Sequence, residues 1–349
     1  MLKTLKTRAL STARNAGILS ATRESAWRRR RLFILGYHGV STADEHLWDS
    51  ELYMPPQTLR SRFVALRDGG YRVLQLDDAL RRMTAGTLPP RAVALTFDDG
   101  AVDFLTEAVP LLREFGFPAT VYLTTYYCQL QRPVFPTMLR YLLWKGRGRP
   151  LEMEGLATDS GSSPLETADQ RLTAFHRIFA GCQARNASGV EKDDVLTECA
   201  ERLGIDYTAL IEQRILQLMN PEEVANLPRD LVDVQLHTHR HRVPDDRLLF
   251  EREIVDNRRL ISDMTGSRPA VHFCYPSGVT NHNFLSWLQA LGIASATTCF
   301  SGLASPSSNP LMLPRLIDTS HVSELEFEGW LTGVSAFLPR RRIVAVPTI

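Results

Sequence analysis

The chain alternates short, continuously apolar runs with stretches in which apolar residues recur every three to four positions. Leu32-Phe33-Ile34-Leu35-Gly36-Tyr37 is a run of the kind expected of a strand buried on both faces. Val93-Ala94-Leu95-Thr96-Phe97 is the next buried strand, residues 119–123, 231–236, 271–275 and 293–298 are further strands, and 71–74 is a shorter candidate. Between them, Leu59, Phe63 and Leu66 predict a helix over about 56–67 that Gly69-Gly70 stops. The same spacing predicts helices over about 77–83, 103–115 (closed by Gly116), 246–265, 283–291 and 324–337. Strand and helix in strict turn imply an α/β architecture with parallel strands.

Residues 126–230 break this rhythm. They carry a polar Gly/Ser stretch at 158–164 and helical patterns around 168–183, 191–203 and 207–218, which read as a mostly helical insertion. Asn220-Pro221-Glu222-Glu223 looks like a helix start, with Asn220 as N-cap and Pro221 in the first turn.

The 349 residues include 40 Lys+Arg and 39 Asp+Glu, a net charge of +1 that excludes a generally basic nucleic-acid binder. The charge is uneven. Residues 1–31 hold nine basic side chains and only Glu24, hence +8, with Leu2, Leu5, Leu10, Ile18 and Leu19 between them. This basic N-terminal segment reads as a helix packed on the following domain, as a surface for an anionic membrane or, being Arg-rich and acid-poor, as a cleaved targeting peptide. The five cysteines are widely spaced without a CxxC pair, so free thiols are expected rather than a disulfide framework. No run approaches the roughly 20 apolar residues of a membrane span, and no apolar h-region precedes Leu32, so the expected location is cytoplasmic.

Three features follow apolar strands at the end where parallel α/β folds gather their chemistry. In Thr96-Phe97-Asp98-Asp99-Gly100, two adjacent carboxylates repel, and a cation on one would relieve the repulsion and leave the other free as a base. An ordinary capped turn is the simpler alternative. In His237-Thr238-His239-Arg240-His241, His237 and His241 can share one face of a helical turn. His239 joins them only if the segment is extended. Phe273-Cys274-Tyr275-Pro276-Ser277-Gly278 is a strand followed by a turn that could aim backbone N–H groups at an oxyanion.

TFDDG, HTxxH and F-x-Y-P-x-G in this order resemble the NodB-homology polysaccharide deacetylases over roughly residues 32–335, most of the insertion excepted. The resemblance implies a distorted (β/α) barrel, often with seven strands rather than eight, so the barrel domain is expected over 32–349. It implies Asp98 as general base and Asp99, His237 and His241 as ligands of a divalent metal, zinc by default, with cobalt, nickel or iron as alternatives. Tyr37-His38-Gly39-Val40 resembles the subgroup whose general acid comes from the N-terminal side, which makes His38 the candidate acid. The chain departs from the family at Cys274, where many members carry an Arg that pairs with the catalytic Asp. Arg315, in Leu313-Pro314-Arg315-Leu316, is the candidate replacement, and the backbone N–H of Ser277 the candidate oxyanion donor.

The reaction these roles imply is removal of an N-acetyl group from an amino sugar in a glycan or glycolipid precursor. Hydrolysis of another C–N bond, such as a cyclic amide or ureide, is the alternative on the same metal site. A non-catalytic glycan-binding relative would be expected to lack at least one of Asp98, Asp99, His237 and His241.

Overall fold

The computed structural model describes residues 2–266 and 269–338. The part of the expected barrel domain beyond Leu338 lies outside the described residues. Eight parallel strands form the central sheet: β1 (Phe33–Tyr37), β2 (Arg72–Val73), β3 (Ala92–Phe97), β4 (Ala119–Leu123), β5 (Val232–Leu236), β6 (His272–Cys274), β7 (Ser295–Thr297) and β8 (Leu316–Ile317). β1, β3 and β4 are buried along their whole length, as their largely apolar runs require.

Seven of the strands run side by side in the order β7-β6-β5-β4-β3-β1-β8. The ends of this path meet. Leu313, just before β8, donates to Ala296 O at 2.8 Å and accepts from Thr298 N at 3.0 Å. The result is a distorted (β/α) barrel. Its irregularity sits at β3, whose lower residues Ala92 and Val93 pair with β2 while Leu95–Phe97 pair with β4 along the same edge. The matched register, Tyr37 with Phe97 and Leu123 with Leu236, brings the C-terminal strand ends to one rim.

Two predicted helices differ in detail. The helix expected over 103–115 opens as a π-turn, Phe104–Ala108, before becoming α-helical over Val109–Phe115. Pro110 has no N–H and its ring crowds the carbonyl four residues back, and a widened turn accommodates both. The helix expected over 324–337 ends at Thr332, because Gly333 turns left-handed (φ 92°) and a 3₁₀ turn follows. The Trp27 ring lies against Gly333 where any Cβ would meet it at 2.7 Å.

The insertion has its own core. Helices Phe135–Lys145, Ala168–Ala184 and Gly189–Arg202 enclose Leu139, Leu142, Phe175, Ile178, Leu196, Cys199 and Leu203. Asn220 caps the helix Pro221–Ala225 through a reciprocal bond with Glu223. At the other end, the N-terminal segment forms three short helices. Leu10, Ala13 and Leu19 pack beside Val334 and Leu325, so this part of its apolar face is covered by the chain itself. Arg28 is fully buried and donates to Leu331 O at 2.9 Å and Arg31 O at 2.8 Å. Among the described residues no helix is long and apolar enough to cross a membrane.

Candidate metal and catalytic site

Every motif residue singled out above lies at or just beyond a strand's C-terminal end, or on the segment that closes the barrel. Asp98 follows β3, and its N–H donates to Tyr37 O of β1 at 2.9 Å. Asp99 and Gly100 both turn left-handed, with φ 68° and 81°. That reversal sends the two neighbouring carboxylates to different surroundings. Asp98 is 2% exposed, inside the barrel mouth. Asp99 stands at the rim, its side chain partly open but its Oδ1 buried.

Asp99 Oδ1 is 3.2 Å from His237 Nε2 and 3.3 Å from His241 Nε2. All three ligand atoms lie within 4.8 Å of one another, yet that oxygen has no hydrogen-bond partner of acceptable geometry. An orphaned buried carboxylate oxygen between two imidazole nitrogens is the arrangement a divalent cation satisfies. A second observation agrees. His237 Nδ1 lies 2.9 Å from the carbonyl of Cys274, which can only accept, so that nitrogen carries the proton and Nε2 offers its lone pair toward Asp99. Two imidazoles and one carboxylate suit zinc, and also cobalt, nickel or iron.

The histidine loop is held in an unusual shape. Thr238 and His241 are left-handed (φ 61° and 55°), which brings both ligands to one side. Thr238 Oγ1 accepts from Arg242 N at 3.0 Å, and Glu253 accepts from Arg240 N at 2.7 Å. His239, between the ligands, points elsewhere: its Nδ1 is 2.9 Å from Thr125 Oγ1. Burial lowers its pKa.

Asn257, fully buried in the helix Arg247–Thr265, escaped the sequence reading. Its Oδ1 accepts from His237 N at 3.0 Å, and its Nδ2 donates to Leu123 O at 2.9 Å and Thr125 Oγ1 at 3.0 Å. It thereby ties the ends of β4 and β5 together beneath the ligand set. The signal was present: Phe250, Ile254, Asn257 and Ile261 form one buried stripe, with a single amide among apolar residues.

Arg315, on the segment that closes the barrel, supplies the cation at Asp98. It is fully buried and grips the carboxylate in bidentate fashion, Nη1 to Oδ1 at 2.7 Å and Nη2 to Oδ2 at 2.5 Å. Its Nε donates to Thr298 O, Nη1 also to Thr96 Oγ1, and Nη2 to Cys274 Sγ at 2.9 Å. Burial alone would raise the Asp98 pKa, but the guanidinium's charge and hydrogen bonds outweigh it and hold the carboxyl below its ordinary value. Burial pushes the Cys274 thiol well above its ordinary value, so it is a neutral packing group. At Asp99, burial is likewise outweighed, here by the His241 imidazole first and His237 beside it, and its pKa is held well below the ordinary value.

His38 follows β1, about a fifth exposed, with Nε2 3.5 Å from Asp98 Oδ2. Gly39 beside it leaves room for the Tyr53 ring, which occupies the place of a Cβ. Ser277, in the turn after β6, is left-handed (φ 54°), and its N–H has no acceptor among the described residues.

Residues 85–143 match the family model described as polysaccharide deacetylase. The Bacillus subtilis protein YxkH is 31% identical over 104 residues, covering 28% of this chain and 35% of that protein. The poly-β-1,6-N-acetyl-D-glucosamine N-deacetylase of Escherichia coli K12 is 32% identical over 97 residues, 28% of this chain and 14% of that one. The matches thus span about a third or less of these relatives' lengths. Among solved structures, the Streptococcus pyogenes deacetylase PplD in complex with acetate superposes with a TM-score of 0.56 at 16% identity, covering 89% of this chain and 99% of that one. IcaB from Ammonifex degensii gives 0.54 at 16% identity, over 86% and 97%. These two likenesses concern the fold.

Proposed function

We propose that this chain, a member of the polysaccharide deacetylase family, hydrolyses the N-acetyl group of an amino sugar within a glycan or glycolipid precursor. The observation that carries the reading is the meeting of Asp99, His237 and His241 around one unsatisfied oxygen, with an ionised carboxylate, Asp98, alongside.

A divalent metal held by Asp99, His237 and His241 supplies Lewis-acid polarisation of the acetyl carbonyl and makes water more acidic. Asp98, ionised and aimed by Arg315, takes the proton of the attacking water. Arg315 touches no substrate in this scheme and is a positioning residue. The Ser277 N–H, without an acceptor among the described residues, donates to the oxygen that gains charge as the carbonyl becomes tetrahedral. His38 protonates the departing nitrogen, so acetate and a free amine leave. The left-handed backbone at Asp99, Thr238, His241 and Ser277 fits this assignment, since strain of this kind gathers where geometry serves chemistry.

The test joins metal analysis of the purified chain to acetate release from N-acetylated glycans, with β-1,6-linked N-acetylglucosamine oligomers in the panel. Acetate formation that a chelator abolishes and added zinc restores is the expected result. A metal-loaded chain that releases acetate from no glycan or glycolipid, yet opens cyclic amides, would overturn the deacetylase reading.

A further inference from the structure

The packing of Leu10, Ala13 and Leu19 against the chain covers part of the apolar face that the N-terminal segment could have turned to a lipid surface, while Leu5 and Ile18 stay exposed. It creates another such surface. Trp27 and Arg31, at the end of the segment, form one wall of a groove of about 350 Å³ whose other walls include Phe300, Leu303, Pro314 and Phe337. Phe300 and Phe337 are 50% and 67% exposed, large values for phenylalanine. None of the lining residues is acidic. Arg29 and Arg30 stand exposed beside it, and Arg29 has only a 3.8 Å contact to Glu24. In sequence, the chain continues beyond Leu338 through Arg340, Arg341 and Arg342.

We propose that this groove and its arginines are a contact surface for an anionic lipid bilayer. Exposed aromatic tips bordered by exposed arginines match the interfacial zone, where rings sit among headgroups and arginines meet phosphates. The charge argues the same way: residues 1–31 carry +8 in a chain of net +1. A sugar ring fits less well, because the Trp27 ring already has the Arg31 guanidinium at 4.1 Å and the Phe337 ring at 4.8 Å. The surface lies toward the N-terminal end of the strands, since Leu32, just before β1, bridges to Ala304 near the groove. The metal ligands lie at the opposite end.

The test is co-sedimentation of the full chain with vesicles of phosphatidylcholine alone or with roughly a third phosphatidylglycerol, at low and high salt. Binding to the anionic vesicles, weakened by salt and near absent on neutral ones, is expected. Deleting residues 1–31 would be a poor variant, because it removes the buried Arg28. Two surface double variants serve instead, each checked for wild-type melting. Arg29→Ala with Arg30→Ala lowers the partition coefficient by roughly 30-fold, and Phe300→Ser with Phe337→Ser weakens it as well. Wild-type binding by both variants, equal binding to neutral vesicles, or no binding at low salt each overturns the proposal. So does quenching of tryptophan fluorescence by N-acetylglucosamine oligomers that Trp27→Phe abolishes, without a vesicle response, which would assign the groove to a glycan. None of these readouts depends on the deacetylase activity.

Discussion

Replacing Arg315 by methionine leaves a buried carboxylate without its cation while keeping most of the side-chain volume. Both partners are almost wholly inaccessible and joined by contacts of 2.7 and 2.5 Å. Losing one member of such a pair costs about 3–5 kcal/mol at neutral pH. The pH dependence should also weaken. In the wild type the Asp98 pKa is depressed, so the pair's contribution is complete above about pH 4, the unfolded carboxyl range, and is lost as pH falls through the folded value. In Arg315→Met, burial is opposed only by the imidazoles of His38 and His237, and the Asp98 pKa rises above that of the wild type. The folded state then binds more protons than the wild-type folded state does, so stability rises less steeply with pH. A protonated Asp98 cannot act as base, so the acidic limb of kcat/KM moves to higher pH and neutral-pH turnover drops by about 10²-fold or more. Cys274 Sγ is 3.6 Å from Asp98 Oδ2, so an arginine introduced there approaches the same carboxylate from β6, across the barrel interior. Cys274→Arg in the Arg315→Met background should restore part of the activity and return the acidic limb toward lower pH. Urea melts across the pH range and kcat/KM profiles for the three proteins are the assays. An Arg315→Met protein with the wild-type acidic limb and a stability loss under about 1 kcal/mol would refute the reasoning.

Asp99→Asn and His241→Ala should each lower metal affinity by at least about tenfold, read by elemental analysis after dialysis against buffered zinc; full retention would disprove the ligand set. His38→Ala should keep its metal but lose about 10²–10⁴-fold in kcat, and unchanged turnover would remove it as the acid. Asn257→Ala leaves the His237 N–H unsatisfied in the interior; a stability loss of about 1–3 kcal/mol and weaker metal binding are expected, and wild-type values of both would count against its tie between the strand ends. Ser277→Gly should keep activity, because glycine adopts φ 54° without strain and retains the N–H; a tenfold loss would transfer the role to the hydroxyl.

The barrel strands were legible because burial on both faces demands unbroken apolar runs, and Ala119–Leu123 falls where its run predicted. The motifs of the candidate site were legible for a related reason: Asp98-Asp99-Gly100 and His237–His241 combine dense polar chemistry with a strand just before it. Asp103 and Phe115 were read as the ends of one helix because apolar spacing looks alike for a π-turn and an α-turn, and only Pro110 separated them. His239 shows the limit of spacing itself. Left-handed backbone at Thr238 and His241 decides which imidazoles converge, and loop φ values depend on what the loop packs against.

By itself the sequence determined which segments are strands, which strand ends carry carboxylates and imidazoles, and how much positive charge the first 31 residues hold, because these follow from local periodicity and composition. Only the tertiary structure decided that the cation facing Asp98 is Arg315, 217 residues away, that Asn257 ties β4 to β5, and that the N-terminal helices spend part of their apolar face on the chain itself. Those pairings arise when the barrel closes at Leu313 and its rim comes together, and no local stretch of residues encodes which distant side chain will arrive there.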